Sequence, residues 1–119
     1  MRIELNNTRR IVIKIGSSII DDNHDKIIDG VCADILKLLD KGKEVILVTS
    51  GAISQGMKVM EVQTKPKDVK KLQSLAAIGQ QKLMSIYENI FSKSNIQTAQ
   101  ILITHGDIND RVRYLNIKG

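Results

Sequence analysis

The sequence has very little cysteine, histidine or proline. Its 119 residues include one cysteine (Cys32), two histidines, one proline and no tryptophan. A single cysteine excludes an internal disulfide, and so few cysteines and histidines argue against a structural zinc site. An unpaired thiol suits a reducing compartment, and we expect a cytoplasmic protein.

Aromatic residues and long apolar runs are also scarce. Tyr87, Phe91 and Tyr114 are the only aromatic residues, too few to build stacking platforms for single-stranded nucleic acid. No apolar run approaches the roughly 18 residues of a membrane span. Residues 1–4 lack the apolar core of a signal peptide. We therefore expect a soluble protein with no membrane partner, and nucleic acid is the weaker candidate among anionic partners.

Positive charge exceeds negative charge by a moderate amount. The sequence has 18 lysines and arginines against 13 aspartates and glutamates, a formal net charge of +5. Such an excess fits either an ordinary solvated surface or the attraction of an anionic ligand, such as a nucleotide or an acidic metabolite. An apolar fraction of 42% suffices for a core, and the length predicts one domain, residues 1–119.

Three apolar segments rich in β-branched residues predict buried strands. They are residues 10–15, 44–49 and 97–103. Helical spacing of apolar residues fills residues 26–41, where Gly42 suits the C-terminal cap, and residues 68–92.

Further helix starts are predicted after two of these strands. A short helix should begin at residues 50–52, and the tail should begin another helix with Asp107 or Asn109 as its N-cap. Strands alternating with helices predict an α/β fold, with a parallel sheet covered by helices on both faces in a three-layer αβα arrangement. Three strands are few for such a sheet, so we expect a truncated domain.

The end of the first predicted strand carries a candidate phosphate site. In open α/β sheets, ligands bind outside the carboxyl ends of the strands. Gly16 lets the backbone approach a phosphate, Ser17 and Ser18 offer hydroxyl and amide donors, and Lys14 supplies a cation. The alternative is a plain tight turn with Lys14 reaching solvent.

The end of the second predicted strand carries a candidate anion site. The free amides at the start of a helix attract anions, and Ser50 beside Gly51 could hold a carboxylate or a phosphate. The alternative is that Ser50 only caps the helix. Gly51 and Gly56 have the spacing of a P-loop, but Met57 occupies the place of its lysine, so this segment is not a P-loop.

An acidic turn follows the first predicted strand, with Asp21, Asp22 and Asp25 close together. A metal role is conceivable, but a solvated loop is the commoner outcome for such a cluster. We predict no metal ligand in this chain.

Four segments of the sequence, taken together, match the motifs of a known family. They are residues 11–18; residues 45–53 with Gly56; residues 75–80 with Leu83, Tyr87, Glu88 and Phe91; and residues 100–104 with Asp110, Arg111 and residues 113–116. Together they resemble the amino-acid kinase superfamily and, within it, the glutamate 5-kinase family. The resemblance covers about residues 10–118.

The resemblance implies a phosphotransferase. The family transfers the ATP γ-phosphoryl group, with Mg²⁺ on the nucleotide, to the side-chain carboxylate of L-glutamate, the first step toward proline. Lys14 matches the lysine that contacts the ATP phosphates and the transferring group, and Gly16 and Ser17 belong to the same phosphate-binding segment. Ser50 matches the serine that binds glutamate, with Gly51 beside it.

The resemblance also implies that this chain is an N-terminal part of a kinase domain. The C-terminal half with its ATP-binding residues, and the RNA-binding-like domain of many members, are expected to be missing. We therefore expect the 119 residues alone to be inactive, and to form a homo-oligomer or pair with a complementing chain. Two other interpretations stay open: a non-enzymatic remnant of a split or decaying kinase gene, and a small basic anion-binding module.

Overall fold

A computed structural model describes residues 7–21 and 25–118 of the chain, so Asp22 of the acidic turn lies outside the described residues. The elements are β1 (Arg10–Ile15), α1 (Ser17–Asp21), α2 (Asp25–Asp40), β2 (Glu44–Thr49), α3 (Ala52–Val59), α4 (Val69–Ser92), α5 (His105–Asn109) and α6 (Arg111–Lys118). The first two predicted strands and the helices predicted at 26–41, from 50–52 and at 68–92 therefore lie within about two residues of their predicted places. Helix α1 was not predicted.

Strands β1 and β2 pair in parallel, from Arg10 opposite Glu44 to Ile15 opposite Thr49. Parallel neighbours need a crossover connection, which α1 and α2 provide. The ladder continues past the strands, because the Ser50 amide donates to the Ile15 carbonyl oxygen at 3.2 Å. This register brings the two predicted anion-binding turns to the same edge of the sheet.

The core lies between the inner face of this sheet and helices α2 and α4. Alternate strand residues point inward, and Ile13 and Leu47 pack against the core cluster. That cluster consists of Ile15, Ile20, Ile28, Cys32, Ile35, Leu83, Tyr87 and Phe91. None of the described helices has the length and apolar character required to cross a bilayer.

The opposite face of the sheet, called here the outer sheet face, consists of Val12, Lys14, Ile46 and Val48. All four residues are exposed. In the described part of the chain, helices thus pack on one face of a parallel sheet. This supports the predicted α/β class and two of the three predicted layers.

Helix α2 ends as its sequence predicts. Gly42 has φ of +77°, in the left-handed region that favours glycine, and its amide donates to the Leu39 carbonyl oxygen. Helix α4 begins at a cap that the sequence analysis did not single out. The Asp68 carboxylate accepts a hydrogen bond from the Lys70 amide at 3.0 Å.

The predicted third strand at residues 97–103 is wrong. This segment has no regular secondary structure, and the sheet of the described residues contains only β1 and β2. A strand needs a hydrogen-bonded neighbour, and this segment pairs with neither strand. Ile101, Leu102 and Ile103 consequently stay at least half exposed.

The predicted N-caps at Asp107 and Asn109 are also wrong. The cap of α5 is Thr104, whose hydroxyl accepts from the Asp107 amide while the Asp107 carboxylate accepts from the Thr104 amide. Asp107 is thus the third helical residue of a capping box. Asp110 marks the next helix start, because its carboxylate accepts from the Arg113 amide at 3.0 Å.

Candidate functional site

A cavity of about 870 Å³ opens at the carboxyl ends of the two strands. Three of the residues predicted for the site line it: Ser17 from the first turn, and Ser50 and Gly51 from the second. The parallel register explains this convergence, since both turns leave the sheet at the same edge. The structure therefore joins the two turns that the sequence could only place at separate strand ends.

Neither Lys14 nor Gly16 lines this cavity. Lys14 lies on the outer sheet face opposite Val48 and is exposed, and its ammonium group makes no hydrogen bond or ion pair with any described residue. A Cβ atom built on Gly16 would meet no heavy atom within 4 Å. The open space at Gly16 leaves room for an approaching anion.

At the second turn, the Ser50 hydroxyl group has no hydrogen-bond partner among the described residues. Gly51, not Ser50, is the N-cap of α3, and it makes no side-chain capping bond. The alternative that Ser50 only caps this helix is therefore wrong. The first amides of a helix have no partner within it, so the α3 N-terminus and the Ser50 hydroxyl offer donors at one place.

The backbone conformation at position 51 requires glycine. Its φ of +110° disfavours any residue with a side chain, and a Cβ atom there would stand 3.3 Å from the Ile20 side chain. The turn therefore packs directly on the end of α1.

Helix α4 forms another wall of the cavity because it crosses α3 in backbone contact. A Cβ atom on Gly56 would lie 2.0 Å from the Leu75 carbonyl oxygen, and one on Gly79 would lie 1.6 Å from the Ala52 carbonyl oxygen. Neither position can hold a residue larger than glycine unless the two helices move apart. This approach brings Ala76 and Gln80 to the cavity.

Lys58, Lys65 and Gln80 line the cavity, yet the sequence analysis did not assign them to a site. The available signal for Lys58 was a positive charge on the short helix that directly follows Ser50 and Gly51. No local pattern marks Lys65 or Gln80, because the packing of α3 on α4 brings them there.

The charge lining the cavity suits an anion. Lys58 and Lys65 face it together with one carboxylate, that of Glu61. The Lys58 ammonium group also donates to the Ile20 carbonyl oxygen at 3.3 Å. The cavity therefore combines cations, hydroxyl groups and helix-terminal amides.

Below the cavity, a hydrogen bond joins the sheet to α4. The Thr49 and Tyr87 hydroxyl oxygens lie 2.9 Å apart. Burial raises the pKa of Tyr87, an effect that the hydrogen bond with Thr49 partly offsets. Burial, with the Asp29 carboxylate adding to it, raises the pKa of the Cys32 thiol to about 11. Both groups are therefore neutral at physiological pH.

Comparison with known proteins agrees with this architecture. The chain matches the amino acid kinase family over residues 9–119. It is 47% identical to the glutamate 5-kinase of Aromatoleum aromaticum over 122 aligned residues, covering 99% of this chain and 33% of that protein. It is 43% identical, with the same coverage, to the glutamate 5-kinases of Paraburkholderia phymatum and Ralstonia nicotianae. The chain thus spans about a third of the length of these curated relatives. It belongs to the amino acid kinase family.

Proposed function

We propose that this chain contributes the acceptor site and part of the phosphate site of a kinase that phosphorylates the side-chain carboxylate of L-glutamate with ATP. The observation that carries the proposal is the convergence of Ser17, Ser50 and Gly51 on one cavity. Relatives named glutamate 5-kinase support the choice of substrate.

Glutamate binds at the second turn in this proposal. The Ser50 hydroxyl and the free amides at the start of α3 donate hydrogen bonds to a carboxylate. Lys65 adds positive charge along the same cavity. An acidic amino acid carries two carboxylates, so a site rich in donors and cations suits it.

The nucleotide phosphates bind at the first turn. Gly16 leaves room for a phosphate, Ser17 offers a hydroxyl group, and Lys14 brings a cation with no competing partner in the described chain. Phosphoryl transfer depends on positioning and on compensation of negative charge. Mg²⁺ accompanies the nucleotide and adds to that charge compensation.

Residues 1–119 form the N-terminal part of a longer amino-acid kinase domain in this proposal. A second helical layer would cover the outer sheet face and complete the three-layer fold, because Val12, Ile46 and Val48 are apolar and exposed. The remaining length supplies the adenine-binding half, and the complete enzyme is a cytoplasmic protein that assembles as a homo-oligomer or with a complementing chain.

The test is a chimera in which this chain replaces the matching third of the Aromatoleum aromaticum relative. We expect ADP release that depends on L-glutamate and is absent with L-aspartate. Lys14→Ala should lower kcat by about 10²-fold or more, since a preorganised charge that meets the transferring group is lost.

Lys71→Ala is the matched control, because Lys71 is an exposed lysine on α4 that does not line the cavity. It should leave turnover unchanged. A chimera without glutamate-dependent ADP release would contradict the proposed function, and unchanged turnover in Lys14→Ala would contradict the role of Lys14.

A further inference from the structure

We propose that Gln55 and Lys58 are positioning residues that hold the two anion-binding turns in register through a shared acceptor, the carbonyl oxygen of Ile20. The inference rests on the proposed function for its kinetic consequence. The latch itself, defined as these two side chains and that carbonyl group, is a structural claim that can be tested without turnover.

The Ile20 carbonyl group lies in the last turn of α1, where helical carbonyl groups have no partner within the helix. Ile20 is 3% exposed, so its carbonyl oxygen needs a partner from the protein. Two side chains of α3 provide it: Gln55 Nε2 and Lys58 Nζ each donate from 3.3 Å.

Gln55 carries a buried side-chain amide, at 5% exposure. A buried amide is costly unless it is hydrogen-bonded, and its bond to Ile20 meets that need. A small apolar residue would fill a helix–helix contact at lower cost. The amide at this position therefore indicates a need to fix α1 against α3.

The latch connects the two turns because each helix begins at one of them. Helix α1 follows Gly16 directly, and its first residue, Ser17, lines the cavity. Helix α3 follows Gly51, which packs on the Ile20 side chain. A five-residue helix has little stability of its own, so the position of Ser17 depends on such tertiary contacts.

The hydrogen bond to the Ile20 carbonyl oxygen also fixes the position of the Lys58 side chain. Its side chain lines the cavity, but its ammonium group is bonded to the Ile20 carbonyl oxygen. The cation completes the end of α1, where positive charge is favourable. Its main effect on turnover is thus on the distance between the turns, and its effect on substrate binding is small.

A loosened latch should affect kcat more than KM. Phosphoryl transfer requires the reacting oxygen and phosphorus atoms to be held about 3–3.5 Å apart, and small displacements are costly. Each turn can still bind its own ligand when the two move apart. The expected signature is a lower kcat with nearly unchanged KM values for both substrates.

The variants are Lys58→Met and Gln55→Met, which keep side-chain length and remove the donor. In the chimera described above, each should lower kcat about tenfold, with both KM values within about threefold of the unsubstituted chimera. Lys58→Arg keeps a cationic donor and should restore most of the activity. Lys71→Met, on the exposed surface of α4, should have no effect.

Hydrogen–deuterium exchange on the 119-residue chain tests the latch independently of activity. Both latch variants should speed exchange of the α1 amides about tenfold, including the Ile19 amide that bonds to the Gly16 carbonyl oxygen. Exchange in the buried part of α4, around Leu83, should not change. Because Lys58 is exposed, Lys58→Met keeps the core intact and decides the matter if Gln55→Met fails to fold.

The two measurements distinguish a failure of the proposed function from a failure of the latch. An inactive unsubstituted chimera would refute the proposed function, and exchange would then decide the latch alone. Unchanged α1 exchange in Lys58→Met would overturn the latch. A raised KM for glutamate at constant kcat would also overturn it, because Lys58 would then be a substrate contact.

Discussion

Gly79 of α4 lies against the backbone of Ala52 at the start of α3, so close that a Cβ atom on Gly79 would stand 1.6 Å from the Ala52 carbonyl oxygen. The contact places a wall of the cavity beside the turn that carries Ser50. Helix packing and site geometry therefore depend on the same glycine.

Gly79→Ala should destabilise the chain. Alanine is normally worth up to about 1 kcal/mol over glycine in a helix, but here the added methyl group forces two backbones apart, at a typical cost of about 1–3 kcal/mol or more. Urea denaturation followed by circular dichroism would measure this. Gly30→Ala on α2 is the control: its Cβ atom would meet nothing within 4 Å, so it should stabilise the chain by about 0.5–1 kcal/mol. Equal stability gains at both positions would contradict the close approach.

Tyr87→Phe should lower the free energy of unfolding by about 1 kcal/mol, because the hydrogen bond between the Tyr87 and Thr49 hydroxyl groups is lost. The Thr49 hydroxyl group keeps its other partner, the Ser50 carbonyl oxygen. Thr49→Val removes the other partner, and a double-mutant cycle isolates their interaction. Strict additivity of the two changes would mean that the hydroxyl groups do not interact.

Ser50→Ala should raise the KM for L-glutamate in the chimera about tenfold or more, since a hydrogen bond to a charged group is worth about 1.5–3 kcal/mol. The KM for ATP should change much less. Ser74→Ala is a matched control on α4, because the Ser74 hydroxyl group is exposed and donates to the Lys70 carbonyl oxygen of its own helix. An unchanged glutamate KM in Ser50→Ala would remove Ser50 from the acceptor site.

Stability should fall in alkaline solution through Cys32. Its pKa is about 11 in the folded chain against an ordinary value of 9.0, because burial disfavours the thiolate. The folded state therefore holds the proton more tightly, and stability is lost as the pH rises from about 9 through about 11, with no effect of this group below that window. Cys32→Ala should lose less stability across the same window, measured by urea denaturation at pH 8 and pH 11. Parallel losses in both proteins would exclude this contribution.

The 119-residue chain should self-associate through the outer sheet face. Val12, Ile46 and Val48 are 62%, 47% and 45% exposed, and contiguous apolar surface favours association. Ile46→Lys should weaken association without lowering the melting temperature, whereas Ile46→Val should preserve it. Light scattering at tens of micromolar would distinguish these variants, and a monomeric unsubstituted chain with a cooperative melt would contradict the prediction.

Local sequence determined most of the secondary structure that positions the site. The apolar runs before Gly16 and Ser50 correspond to β1 and β2, and the helical periodicities correspond to α2 and α4. These signals are reliable because each run is buried along its length or along one face. The position of Gly51 after a strand likewise predicted a helix start.

The sequence alone determined β1, β2, α2, α3 and α4, the glycines of the two turns, and the residue types that suit an anion at each strand end. Only the tertiary structure decided that the Ser17 and Ser50 turns share a cavity and that Lys58 reaches the Ile20 carbonyl oxygen. It also left residues 97–103 without a strand partner. The physical reason is that propensity and periodicity act within a segment, whereas strand pairing, helix crossing and side-chain hydrogen bonds depend on residues distant in the chain.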